Sequence, residues 1–346
     1  MRPSLASLSR PPPSMTSSPA SVSITVADIK AAAKRLRGVA VRTPLLAAEA
    51  IDRETGGRVL VKAEMLQRTG SFKLRGAYNR VAALDPSLRS RGVVAYSSGN
   101  HAQGVAAAAG MLGVPATIVM PSDAPAAKLD GTRALGAEVI LYDRDTGDRE
   151  AIASEVASDR RATLIPPFDD PHVIAGQGTV GLEIADQADD LGIKLDAVLV
   201  PCSGGGLSAG TATVLSKRFP EAEVYAVEPE GFDDTARSLA AGTVVGNAPG
   251  RTSICDGLLL PVPGTLTLPI NRVLLAGGLV VDDDAAAQAM AVALRHLKVV
   301  AEPSGAVALA AALSGQFDCR GKTVCVICSG GNVDGRTFVD LVRPYI

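Results

Sequence analysis

The chain has 346 residues, enough for one large core or two closely packed domains, and a formal net charge of −2 with the two signs evenly mixed. That balance gives no basic field for a nucleic acid, and no apolar run reaches the roughly 18 to 20 residues that span a bilayer, so neither partner is expected. Five cysteines, Cys202, Cys255, Cys319, Cys325 and Cys328, stand at irregular spacing, which argues against a disulfide framework and for a reducing compartment, the cytoplasm.

Residues 1–22 are rich in Ser and Pro, carry Arg2 and Arg10, and precede the first acidic residue, Asp28. Such a composition cannot bury apolar surface, so a disordered tail is expected. An organelle transit peptide, or a true start at Met15, would leave the same composition. From Val26 onward short Val/Ile/Leu runs alternate with longer alanine-rich amphipathic stretches. The pattern predicts strands over 58–62, 93–97, 116–120, 138–142, 197–200, 224–228 and 324–328. Helices are predicted over 103–112, 124–135, 148–157, 177–191, 207–218, 283–297 and 304–313. Alternating β and α elements imply an α/β fold with parallel sheets covered by helices on both faces, and near-continuous apolar strands suit central parallel positions. Cys325 and Cys328 form a C-x-x-C, but with no second pair or nearby histidine they read as buried strand thiols rather than zinc ligands.

Parallel sheets bind ligands outside the carboxyl ends of their strands, so the turns there carry the chemistry. Ser98-Gly99-Asn100-His101 follows the strand at 93–97; an ordinary helix cap needs only a Ser or an Asn, and this turn holds more. Pro201-Cys202-Ser203-Gly204-Gly205-Gly206-Leu207 follows the strand at 197–200. Three glycines opening a helix can form a nest of N–H groups for a phosphate, and a plain tight turn reads equally well. Neither G-x-x-x-x-G-K-[ST] nor G-x-G-x-x-G is present, which favours a compact phosphomonoester over a nucleoside triphosphate or dinucleotide. Ser329-Gly330-Gly331-Asn332 follows the strand at 324–328. Earlier in the chain, Lys73 lies in Ser71-Phe72-Lys73-Leu74-Arg75-Gly76. A single lysine most often lies on the surface, but one that is buried, or flanked by a cation as Arg75 would flank Lys73, has a lowered pKa and can form a Schiff base.

Taken in order, S-F-K-L-R-G-A, S-S-G-N-H-A-Q, the glycine loop, E-P-S-G-A and S-G-G-N-V-D resemble the pyridoxal-phosphate enzymes of the threonine dehydratase, serine racemase and 3-hydroxyaspartate dehydratase group. The resemblance covers roughly residues 25–345. It implies a fold type II enzyme with two open, mostly parallel sheets: a larger domain from 23–88 and 170–346, a smaller one from 89–169, and no C-terminal regulatory domain. By that resemblance Lys73 binds the cofactor aldehyde, Phe72 lies against the ring, Asn100 meets the ring hydroxyl and Ser329 the ring nitrogen. Ser203, Gly204, Gly205, Gly206 and Leu207 would hold the phosphate through N–H groups. Ser203 stands where the family usually has a first glycine, which preserves the donor if its torsions suit a non-glycine residue. A hydroxyl at the ring nitrogen makes the ring a weaker electron sink than a carboxylate would, favouring loss of a β-leaving group over transamination.

The implied reaction is α,β-elimination from a β-hydroxy amino acid, with Lys73 as the base at Cα and Ser97, Ser98, Asn100 and His101 receiving the substrate carboxylate. Ser98 also matches the serine that handles the proton on the opposite face in racemases of this group. Threonine or serine is the expected substrate. The alternatives are 3-hydroxyaspartate, whose second carboxylate Arg149 would meet, amino-acid racemisation, and a non-catalytic cofactor-binding module. The resemblance further implies a divalent cation, Mg or Ca, on Glu228, Asp234 and the Phe232 carbonyl, where a solvated acidic turn is the plain alternative, and a homodimer.

Overall fold

The apolar runs pair into two sheets in the computed structural model, which describes residues 24–124 and 126–346; the expected tail over 1–22 lies outside the described residues. The strands in chain order are β1 (Leu45–Leu46), β2 (Arg58–Ala63), β3 (Val93–Tyr96), β4 (Ala116–Pro121), β5 (Glu138–Tyr142), β6 (Thr163–Leu164), β7 (Ala197–Pro201), β8 (Glu223–Pro229), β9 (Gly277–Val281) and β10 (Thr323–Cys328). The larger sheet runs β1-β2-β10-β7-β8-β9 and the smaller β5-β4-β3-β6. Every pairing is parallel except that of the two-residue β1 with β2.

The hydrophobic run of β10 shows why the larger sheet forms. Val324 pairs with Val59 on one side and Ala197 on the other, and Val324 through Cys328 are fully buried. Alternate residues feed two cores, Val326 with Val59 and Leu199 on one face, Ile327 with Leu60 and Val198 on the other. Each Val or Ile so buried contributes about 1.5–3 kcal/mol. All five cysteines are buried free thiols, and Cys325 and Cys328 point to opposite faces of this strand.

Three differences from the sequence expectation have physical causes. The helix expected from 177 begins at Pro171, with the Asp170 carboxylate accepting the N–H groups of His172 and Val173. Gly176, Gly178 and Gly181 weaken its helical pattern, yet they are contact points. A Cβ on Gly176 would lie 2.6 Å from the Arg75 carbonyl, and one on Gly181 2.8 Å from the Thr211 Cα. This helix, Pro171–Asp190, thereby touches both the helix Lys73–Ala82 and the helix Gly206–Arg218 at backbone distance, fixing the two functional turns relative to each other. The helix expected over 283–297 leaves α geometry after Val292 and continues as a wider π turn, Ala293–Leu297. β9 escaped prediction because it opens with two glycines on a half-buried edge.

Candidate active site

The carboxyl ends of β3, β7 and β10 open onto one cavity of about 300 Å3, lined by residues of both sheets. Phe72, Lys73, Ser97, Ser98, Asn100, His101, Arg149, the loop Ser203–Leu207 and Ser329 all border it. The structure thus brings together turns separated by more than 250 residues of sequence. Glu228, Phe232 and Asp234 do not border it.

Lys73 is the first residue of its helix. Its Nζ donates to the Pro167 carbonyl at 3.1 Å and lies 5.2 Å from the centre of the Phe72 ring. Burial pushes the amine down to about 8, against the opposing charge of Glu302. Of the two expected causes, burial and the cation of Arg75, only burial acts. The Arg75 guanidinium turns away from the cavity and grips Glu64 and Glu183 at 2.7–2.9 Å.

The imidazole of His101 is committed elsewhere. Its Nε2 lies 2.9 Å from the Ile165 carbonyl, which only accepts, so Nε2 carries the proton and the buried Nδ1 is bare and without a partner. Burial pushes this imidazole down to about 3, so it is neutral. The side chain therefore has no donor for a carboxylate. The main-chain N–H groups of Asn100 and His101 do, in the free first turn of the helix Asn100–Met111. Ser97 is used within the turn itself, its hydroxyl accepting from the Gly99 N–H at 3.1 Å.

In the glycine loop, Gly205 has φ +83°, a conformation that favours glycine. Gly204 is required for a different reason, since a Cβ there would lie 2.3 Å from the Phe168 ring. Ser203 has an ordinary negative φ, so a side chain is tolerated at this position. Its hydroxyl is buried and has no partner among the described residues. A nest of N–H groups beside an orphaned hydroxyl, across a cavity from an amine with a lowered pKa, fits a phosphate-bearing aldehyde.

Two residues escaped the sequence reading. Asn100 Nδ2 donates to Glu302 at 2.6 Å, and Asn100 Oδ1 accepts from Asn332 at 2.7 Å. Burial pushes Glu302 up to about 8. The only signal was that Glu302 and Asn332 sit inside the motifs E-P-S-G-A and S-G-G-N-V-D. Arg149 opens the helix Arg149–Arg160 with its guanidinium 5.8 Å from the centre of the Tyr96 ring, and it has no acidic partner among the described residues.

Fold and site together define a pyridoxal-phosphate enzyme of fold type II. The family model for pyridoxal-phosphate dependent enzymes matches residues 36–330, and the chain belongs to that family. It is 44% identical over 316 residues to an L-threo-3-hydroxyaspartate ammonia-lyase of a Pseudomonas species, covering 91% of this chain and 98% of that one. It is 42% identical to an L-threonine ammonia-lyase of Thermotoga maritima over 90% of this chain and 76% of the relative. The solved structure of maize serine racemase superposes with a TM-score of 0.86 at 39% identity, covering 93% of this chain and 97% of that one. The group resemblance seen in the motifs is borne out, and the protein is an enzyme among ammonia-lyases and amino-acid racemases. No helix among the described residues is long and apolar enough to cross a membrane.

Proposed function

We propose that the protein is an ammonia-lyase that eliminates water from a β-hydroxy amino acid, releasing a 2-keto acid and ammonia. The observation that carries this reading is the Lys73 amine, lowered to about 8 and facing the same cavity as the glycine nest. The larger sheet, with residues 23–88 and 170–346, and the smaller, with 89–169, are read as two domains with the site in the cleft between them. Ser203 to Leu207 would hold the cofactor phosphate, Phe72 would lie against the ring, Asn100 would donate to the ring hydroxyl and Ser329 would face the ring nitrogen. Bound pyridoxal phosphate supplies an electron sink for the pair left when Cα loses its proton. Lys73 Nζ is the base placed to take that proton. The N–H groups of Asn100 and His101, with Ser98, orient the substrate carboxylate at a helix N-terminus. Ser98, on the cavity wall, is the group for a proton on the other face, which leaves racemisation as a side activity. Loss of the β-hydroxyl gives an enamine that water converts to the keto acid.

Arg149 supports one substrate over the others. An arginine bordering the cavity without an acidic partner among the described residues offers a bidentate site to a second carboxylate. This favours 3-hydroxyaspartate over the threonine or serine expected from the motifs. In a keto-acid release assay, Arg149→Ala should lose about 10- to 100-fold in kcat/KM for 3-hydroxyaspartate, with threonine and serine hardly affected. Equal losses on all three substrates would remove Arg149 from substrate recognition.

A divalent cation is proposed at Glu228, Asp234 and the Phe232 carbonyl. Asp234 has one buried carboxylate oxygen without a partner. Burial, and for Glu228 the neighbouring Asp234 charge, push Glu228 up to about 8 and Asp234 up to about 6. A cation offsets that repulsion with hard oxygen ligands. Glu228 also accepts the N–H groups of Thr235 and Ala236, so it anchors the helix Asp234–Ala241 in either case. Magnesium or calcium should raise the melting temperature of chelator-treated protein, and Asp234→Asn should abolish the rise. No rise with either ion would eliminate the site.

A further inference from the structure

The orientation of the Asn100 amide can be derived from its neighbours. The Thr69 carbonyl only accepts, so the Asn332 atom 2.7 Å from it is Nδ2. That same Nδ2 donates to Asn100 at 2.7 Å, so the Asn100 atom it meets is Oδ1. Asn100 Nδ2 then faces Glu302 Oε1 at 2.6 Å. A direction set at one backbone carbonyl passes through two amides and ends on a carboxyl 202 residues away in sequence from Asn100.

Among the described residues this is the one hydrogen bond of the Glu302 side chain. Glu302 is 5% exposed and opens the helix Pro303–Leu313, yet its side chain makes no capping hydrogen bond there. Its main chain is fixed, the N–H donating to the Gly330 carbonyl at 3.0 Å. A Cβ on residue 330 would lie 2.1 Å from Glu302 Oε1, so the glycine at 330 makes room for the carboxyl. The charged groups facing it are Asp256, Lys128 and Lys73.

We infer that Glu302 is a positioning residue for the reaction centre: acting through Asn100, it turns that residue's one remaining amide N–H toward the ring oxygen of the bound cofactor. The inference deepens the cofactor assignment proposed above and rests on it. The Asn100 amide has one acceptor and two N–H groups. Asn332 holds the oxygen on its own side and Glu302 takes one N–H, which leaves the second N–H as the free donor of the amide. A donor at the ring oxygen favours its deprotonated form and lowers the pH at which the cofactor chromophore titrates. Glu302 does this by accepting, so a glutamine, which keeps an acceptor oxygen, should replace it.

The test is a pH titration of the near-visible absorbance band of the cofactor-loaded protein, with kcat and KM measured alongside. Glu302→Leu should raise the band's pH midpoint by about one unit. It should also lower kcat about tenfold or more, with KM within about threefold. Glu302→Gln should keep the parent midpoint. Asn332→Ala, which frees the other end of Asn100, should shift the midpoint in the same direction as Glu302→Leu. An unshifted midpoint in Glu302→Leu, or an equal shift in Glu302→Gln, would overturn the inference. If Glu302→Leu fails to fold or to hold cofactor, Asn332→Ala decides, and a parental midpoint there overturns it. A parent protein that develops no band on adding pyridoxal phosphate would overturn the cofactor assignment and this inference with it.

Discussion

Lys73→Ala is expected to lower ammonia-lyase turnover by at least about a thousandfold, because one amine serves as both cofactor anchor and Cα base. The fold should survive. Among the described residues the only polar partner of Nζ is the Pro167 carbonyl, which borders the cavity, and alanine suits the start of a helix. The melting temperature of the cofactor-free variant should therefore stay within a few degrees of the parent. Borohydride reduction of the parent should fix the cofactor on the peptide carrying Lys73, and the variant should take up none. The pH dependence follows from the same amine. Only its neutral form attacks an aldehyde, and the neutral fraction grows with pH until the pKa is passed. Capture of pyridoxal phosphate by the cofactor-free protein should therefore quicken up to about pH 8 and then level off. A rate still climbing toward pH 10, as for an ordinary lysine, would refute the perturbed amine. Residual turnover above about one per cent in the variant would refute the base assignment.

The parts of this site visible in the sequence are those whose chemistry is local. A glycine run after an apolar strand, a serine-rich turn before an alanine-rich helix and a lysine at a helix start each keep their meaning without the fold. What stayed hidden depends on distant partners. Nothing near Arg75 reveals that its guanidinium leaves Lys73 for Glu64 and Glu183, the latter 108 residues on. Nothing in Ser98-Gly99-Asn100-His101 shows that the imidazole is committed to the Ile165 carbonyl. Glu302 precedes the helix Pro303–Leu313, and only the approach of that helix start to the turn after β3 gives its carboxyl a role. The helix Pro171–Asp190 was read six residues short because Gly176 looks like a breaker until the helix Lys73–Ala82 is packed against it. The lowered Lys73 pKa was expected from burial or from a neighbouring cation, and burial in the cleft is the cause that acts.

That displaced arginine is the basis of the second large effect, on stability. Arg75, fully buried, donates to both oxygens of Glu64 at 2.8 Å, to both oxygens of Glu183 and to Thr179. Lys62, also fully buried, completes the charge balance with Glu183 at 2.7 Å and the Thr43 carbonyl at 2.7 Å. Burial alone would raise Glu64, but the Arg75 charge and hydrogen bonds outweigh it and hold the carboxyl below its ordinary range. Glu64→Ala removes one of two carboxylates that answer two buried cations. Glu183 then faces Arg75 and Lys62 alone, and an uncompensated buried charge costs about 3–5 kcal/mol. The melting temperature should fall by on the order of 5–10 °C, the lower part of the range for a chain of this size. Glu64→Gln keeps the shape and an acceptor for Arg75 but not the charge, so its loss should be intermediate. The network sits behind the helix that carries Lys73, two residues from the amine. Glu64→Ala protein that remains folded should therefore also bind pyridoxal phosphate more weakly than the parent. A melting temperature within about 2 °C of the parent in Glu64→Ala would show that water or a rearranged Glu183 satisfies Arg75, and the tether between the buried charges and Lys73 would be lost with it.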